Sequence, residues 1–228
     1  MSLTDELRVE VAATFRASWS ERDGDKVPES TDLKLGNDAV KLIGAVLYAD
    51  MKESTDLVDT HKPFFAAEIY KTFLHCAARI VRAEGGAITA YDGDRIMGVF
   101  IGLGAADGAA RSALKINYAR LEVINPAIKA QYPDSTYALK HVVGVDKGPL
   151  FVARTGIRGA NDLVWVGRVA NHAAKLASLA PEYSSVITAE VYNDLSVNAI
   201  TGSDGKNMWN YATWNGRIVY RSTYMWSP

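Results

Sequence analysis

Two carboxylates stand where two stretches of chain end. The apolar run from Leu42 to Leu47 leads through Tyr48-Ala49 to Asp50. The segment Gly86-Ala87-Ile88-Thr89-Ala90-Tyr91-Asp92-Gly93-Asp94 delivers a second carboxylate at a glycine-rich reversal. Paired carboxylates at strand ends are what a two-metal phosphoryl-transfer site uses. Each divalent cation takes hard oxygen ligands and keeps its remaining positions for water and substrate phosphates. An Asp at a strand end also serves simply to turn the chain, so the pair needs support from the rest of the sequence. Asn171 and Lys175 are four apart in a helical stretch and share one face. Asp92, two before Asp94, shares its strand face by the period of two and equally suits a turn.

These residues need elements to hold them. Thr4 to Trp19 reads as a helix with Leu7, Val11 and Phe15 at helical spacing and Thr4 as N-cap. Glu21 to Asn37 is charged and rich in turn formers, a loop or linker. Val40 to Tyr48 is a buried strand. Pro63 opens a helix to about Glu84, with Phe64, Ile69, Phe73 and Ala77 apolar, and Gly85-Gly86 ends it. Ile88 to Phe100 is a hairpin reversing near Asp92-Gly93, and Asp107 to about Ala130 a second amphipathic helix. Tyr137–Val145 and Leu150–Ala153 read as a hairpin around Asp146-Lys147-Gly148. Leu163–Val166 is a short strand, and Gly167 opens a helix ending near Pro181. Val186–Thr188, a short helix over Glu190–Leu195, and an aromatic hairpin from Met208 to Tyr224 turning at Asn215-Gly216 complete the chain. The order β-α-β-β-α-β-β predicts an α+β fold of the split βαβ type, a mostly antiparallel sheet covered by helices. Residues 1–36 are expected as an N-terminal helix and linker, and residues 37–228 as the catalytic domain.

Composition narrows the function. The 228 residues are 48% hydrophobic, enough for one large core. Lys+Arg total 25 against 26 Asp+Glu, so nothing in the charge argues for a nucleic-acid or anionic-membrane partner. The single cysteine, Cys76, lies in a helical pattern and reads as a buried structural thiol in a cytoplasmic protein. No apolar stretch approaches the roughly 20 residues that span a bilayer, and the N-terminus lacks the basic start and apolar segment of a signal peptide.

Together the pieces resemble the catalytic domain of class III nucleotidyl cyclases. The matching segments are Tyr48-Ala49-Asp50-Met51-Lys52-Glu53-Ser54-Thr55, Gly85-Gly86 through Gly93-Asp94, Val99-Phe100, Val143 to Pro149, and Gly167-Arg168-Val169-Ala170-Asn171-His172-Ala173-Ala174-Lys175-Leu176, in family order. The resemblance implies a ferredoxin-like α+β domain that drives a ribose 3′-hydroxyl onto the α-phosphorus of its own triphosphate and expels pyrophosphate. It implies that Asp50, Asp94 and the Met51 carbonyl hold two divalent cations, Mg²⁺ or Mn²⁺, and that the amides of Lys52, Glu53, Ser54 and Thr55 bind the triphosphate. Asn171 matches the asparagine that orients the ribose, and Lys175 stands where the family has a transition-state arginine. A lysine keeps that charge without the planar fork. His172, between them, is expected to pack or face solvent. Family sites form between two antiparallel subunits, so the resemblance implies a homodimer in which Asp50 and Asp94 meet the partner's Asn171 and Lys175.

The pattern departs from purine cyclases at the base. Adenine-reading members carry a lysine four residues before the second metal Asp and an aspartate seven before the asparagine; here these are Ala90 and Val164. Ser54 replaces an aromatic residue, and Tyr91 replaces a smaller one, which on this reading narrows the base pocket. The combination resembles the pyrimidine cyclases of bacterial Pycsar antiphage systems, stand-alone enzymes whose cyclic UMP or cyclic CMP is read by a separate effector. The expectation is a metal-dependent pyrimidine cyclase preferring UTP to CTP. The alternatives are an adenylate cyclase with atypical base contacts and a catalytically silent nucleotide-binding dimerisation module.

Overall fold

The computed structural model describes all residues, 1–228. Its elements follow in the order α1 (Leu3–Arg16), β1 (Ser20–Asp23), β2 (Asp38–Met51), α2 (Ser54–Thr60), α3 (Pro63–Ala83), β3 (Ala87–Asp92), β4 (Arg95–Ile101), α4 (Ala105–Tyr118), α5 (Asn125–Gln131), β5 (His141–Ile157), β6 (Ala160–Val166), α6 (Arg168–Ala177), β7 (Ser185–Thr188), α7 (Ala189–Tyr192), α8 (Val197–Ile200), β8 (Asn210–Trp214) and β9 (Arg217–Ser222). The strands form one sheet, β3-β4-β2-β5-β7-β9-β8, with β1 added to β2 and β6 to β5. Only the β1–β2 and β5–β7 pairs are parallel. The β3-β4-β2-β5 core is the ferredoxin-like split βαβ arrangement that the element order predicts. No helix is long and apolar enough to cross a membrane.

β2 is central and buried on both faces, which is why its sequence is an almost unbroken apolar run. Ala45, Leu47, Ala49 and Met51 face the core made with α3 and α4. Val40, Leu42 and Val46 face a second core that α6 covers with Val169, Ala170 and Ala173. Alternation therefore puts Asp50 on the second face. α3 begins at Pro63 and buries Phe65, Ile69, Phe73, Ala77 and Ile80. The register starts at Phe65, and Phe64 is 55% exposed. Gly85 ends the helix at φ 85°. Cys76 is half-buried, and burial pushes its thiol pKa up, which keeps it unreactive.

Several expectations are corrected. The Asp146-Lys147-Gly148 segment is no turn: β5 runs straight through it, pairing with β2 from Ala39↔Ala153 to Met51↔His141. The Asp146 carboxylate is buried and accepts from the Thr188 hydroxyl (2.7 Å) and the Lys147 amide (2.8 Å), so its turn propensity is spent on side-chain bonds. The reversal comes later, at Arg158-Gly159, into β6. The long helix predicted over 107–130 is broken by a π-helical stretch, Ala119–Ile124, ahead of Pro126, which has no N–H to continue the ladder. Glu21 to Asn37 is no free linker: β1 pairs with β2, Arg22 binds Asp38 at 2.7 Å, and Leu33 is fully buried in the second core. α1 is capped by Ser2 rather than Thr4 and ends at Arg16, with no buried residue. The Asn215-Gly216 turn forms as read, both residues at positive φ.

His141, at the start of β5, is fully enclosed beside Phe73, and neither ring nitrogen has a hydrogen-bond partner. Burial, aided by the Arg120 and Lys52 charges, lowers its pKa from 6.5 to about 3. The unfolded chain thus takes up a proton near pH 6.5 that the fold refuses. Stability from this group is complete above that pH and declines as pH falls from 6.5 towards 3, by up to about 1.4 kcal/mol per unit. Urea titrations between pH 7.5 and 5 are expected to show this slope and to lose most of it in His141→Leu. An identical slope in the variant would rule His141 out as the source.

Candidate active site

The end of β2 and the β3–β4 turn are brought together by backbone bonding. The Met51 amide donates to the Asp94 carbonyl (3.4 Å), which seats the Gly93-Asp94 turn against the strand end that carries Asp50. Gly93 takes φ 60°, the left-handed value that the turn requires. Asp50 is 9% exposed, and burial is the main reason that its carboxyl pKa is raised. The Lys52 ammonium, 2.9 Å from Asp50 Oδ2, works against that shift, and the nearby Asp94 charge adds to it.

A row of charge crosses the sheet on this face. Asp50 on β2 is in register with Arg95 on β4, which is in register with Asp92 on β3. Arg95 binds the Asp92 carboxylate, and its guanidinium lies 5.9 Å from the centre of the Tyr48 ring. Arg95 is a site cation that the sequence reading missed. The signal was present, since a two-residue reversal at Gly93-Asp94 must pair Asp92 with Arg95 directly.

The turn after β2 holds the other expected phosphate contacts. Glu53 sits at φ 60°, left-handed for a non-glycine residue, and precedes α2, which begins at Ser54-Thr55 and which the sequence reading did not find. The Lys140 carbonyl accepts the Lys52 amide (2.9 Å), so the start of β5 braces the turn.

Asn171 and Lys175 lie on the exposed side of α6 and form no hydrogen bond or ion pair in the chain. The helix is fixed from beneath. At Gly144 an added Cβ would lie 2.2 Å from the Ala173 carbonyl and 2.4 Å from the Ala177 amide, so α6 rests directly on the β5 backbone. Buried Asp146 draws the helix start down, with Arg168 Nε at 3.8 Å and His172 Nδ1 at 3.3 Å. His172 packs as expected, edge-on to Trp214. Asp146 is thus a positioning residue for α6 rather than a turn residue.

The base-reading positions are also placed. Ala90 packs half-buried against the second core, on the Asp50 face, with no polar side-chain atom. Val164 is apolar and 39% exposed on β6. Tyr91 pairs with Ile96, whose side chain belongs to the α3 core, so it projects from the face opposite Asp50. It lines a cleft of about 780 Å³ at the sheet edge, between His75, Arg79 and Arg82 of α3 on one side and Val27 and Leu163 on the other. Within this chain it does not narrow a pocket beside Asp50, as the sequence reading supposed.

The donor set fits divalent cations of the magnesium type. Asp50 and Asp94 offer hard oxygens, and an ammonium already stands on Asp50 where a cation is wanted. No cluster of three or more His, Cys, Asp or Glu side chains is gathered to hold a metal ion, so the candidate donors are the two carboxylates alone.

No family model matches the chain. It is 51% identical to the uridylate cyclase of Xanthomonas perforans, over 99% of both chains. It is 48% identical to the uridylate cyclase of Burkholderia cepacia, over 100% of both. The solved structure of the adenylyl cyclase CyaB from P. aeruginosa superposes with a TM-score of 0.68 at 20% identity, covering 81% of this chain and 95% of that one, a likeness of fold. With these two full-length relatives and that fold, the chain is a class III nucleotidyl cyclase domain. Within that class the chain belongs to the uridylate cyclase family.

The Gly144 contact yields a direct test of how α6 is held. Gly144→Ala drives a methyl group into helix backbone that cannot step aside, and is expected to cost about 3 kcal/mol or more. A thermal melt within a degree of the parent would show that α6 is not pinned there.

Proposed function

We propose that the protein is a homodimeric, metal-dependent uridylate cyclase, converting UTP rather than CTP to the 3′,5′-cyclic nucleotide and pyrophosphate. The observation that carries the chemistry is the seating of Asp94 against the strand end that holds Asp50. The preference for UTP rests on the two full-length relatives named uridylate cyclases. It is supported by Ala90 and Val164, which have no polar group with which to read adenine.

In this reading Asp50, Asp94 and the Met51 carbonyl hold two Mg²⁺ or Mn²⁺ ions, which when bound polarise the α-phosphate and acidify the 3′-hydroxyl. The chain's own groups position the substrate. The amides from Lys52 to Thr55 receive the triphosphate. Asn171 of the second subunit orients the ribose, and Lys175 beside it offsets the charge that builds on the phosphoryl oxygens. The 3′-hydroxyl gives its proton to solvent, and its oxygen bonds to the α-phosphorus as the bond from that phosphorus to the α–β bridging oxygen breaks and pyrophosphate leaves. The exposed, unpartnered state of Asn171 and Lys175 favours a site shared between subunits. The product is then a messenger for a separate effector in antiphage defence, as the Pycsar resemblance implies.

Incubating the purified protein with each of the four nucleoside triphosphates and Mn²⁺, with mass spectrometry of the products, is expected to give cyclic UMP as the main product. Cyclic AMP in excess would establish the adenylate alternative, and bound nucleotide without turnover the silent module. Asp50→Ala and Asp94→Ala should each lower turnover about a thousandfold or more while the fold persists. Near-parental activity in either would refute the metal assignment. An Asp50→Ala chain mixed with an Asn171→Ala chain should regain one intact site per heterodimer. Verified heterodimers that stay inactive would speak against sharing.

A further inference from the structure

The terminal phosphates of the substrate carry the most charge, and the cations beside Asp50 are already engaged. Lys52 is bound to Asp50 and Arg95 to Asp92. A third cation, outside every segment that carries the family resemblance, reaches the same turn. Lys140 precedes β5, and its carbonyl bond to the Lys52 amide fixes its backbone beside residues 52–55. Its ammonium lies 2.7 and 3.0 Å from the two carboxylate oxygens of Glu53.

That ion pair is poorly explained as a stabilising contact. Both side chains are about half exposed, 46% and 51%, where a pair returns little. Glu53 also holds a left-handed backbone conformation (φ 60°), which costs a non-glycine residue more than such a pair returns. Two carboxylate oxygens gripping one ammonium at the edge of the turn have the chemistry of a phosphate's oxygens at the same place. We propose that Lys140 is the clamp for the terminal phosphates of the triphosphate and for the departing pyrophosphate, and that Glu53 occupies it in the empty site and yields when phosphate arrives. The assignment rests on the cyclase reading of the turn. It adds a binding residue and a built-in competitor, since Glu53 lowers phosphate affinity and so speeds pyrophosphate release.

The test is calorimetric titration of inorganic pyrophosphate into the full-length protein without metal, alongside steady-state kinetics. Lys140→Met is expected to weaken pyrophosphate binding five- to twentyfold and to raise KM for the triphosphate more than it lowers kcat. Glu53→Gln, which keeps the side-chain size and removes the competing charge, is expected to tighten pyrophosphate binding and deepen product inhibition severalfold. Parental pyrophosphate affinity in both variants overturns the proposal, as does a lowered melting temperature in Lys140→Met with binding unchanged, which would make the pair structural. If the parent cyclises nucleotide and Lys140→Met behaves identically, the clamp fails alone. If the parent makes no cyclic nucleotide yet pyrophosphate binding still depends on Lys140, the clamp stands and the cyclase reading falls.

Discussion

The pairing of β2 with β5 is the constraint on which the rest of the molecule depends. It runs unbroken from Ala39 to Met51 on one side and from His141 to Ala153 on the other. Both strands are buried on two faces, so a slip of one residue would send Asp50 and Asp146 to the wrong side and apolar side chains into polar surroundings. The ladder therefore fixes Asp50 at the strand end, carries Asp146 beneath α6, and brings the residue before β5 against the turn after β2. Three parts of the site that are distant in sequence are set by one register.

Electrostatics then decides what the site can accept. Three acids around this strand end have a base: Asp92 has Arg95, Asp50 has Lys52, Glu53 has Lys140. The burial of Asp50 makes an unpaired carboxylate costly there, and Lys52 offsets part of that cost. On the proposed reading, a divalent cation held by Asp50 and Asp94 would take the place that the Lys52 ammonium now fills beside Asp50.

Much of this was legible in the sequence because local chemistry and global fold agree. An apolar run ending in Asp, a Gly-rich reversal ending in Asp, Pro63 and Gly85 at the two ends of α3, and Asn215-Gly216 in a hairpin all read as they fold. The misreadings share one cause, tertiary contacts that override local signals. Asp146-Lys147-Gly148 has the composition of a turn, yet Thr188, remote in sequence, satisfies the carboxylate in a strand. The charged segment from Glu21 to Asn37 looks like a linker, and only the fold reveals that Arg22 and the Lys34 amide both bind Asp38 and so seat Leu33. Phe64 and Phe65 differ only in which faces the sheet, a choice of helix register that the 3.6-residue period leaves ambiguous for adjacent aromatics. Ala90 and Tyr91 are neighbours on a strand, and alternation sends their side chains to opposite faces of the sheet.

The placement of α6 bears most directly on how a site could be completed. Its inner face is consumed by the fold: Val169, Ala170, Ala173 and Leu176 are buried, and Gly144 lets its backbone lie on β5 with no room to roll. A rotation that turned Asn171 inwards would lift the Ala173 carbonyl off Gly144 and expose those apolar groups, at a cost well above what one amide hydrogen bond returns. Arg168 and His172 add a further tether through Asp146. Asn171 and Lys175 are thus held outwards by packing that is independent of any ligand, and within the chain they have no partner. On the proposed reading they meet a second copy of the chain, whose Asp50 and Asp94 would complete the site.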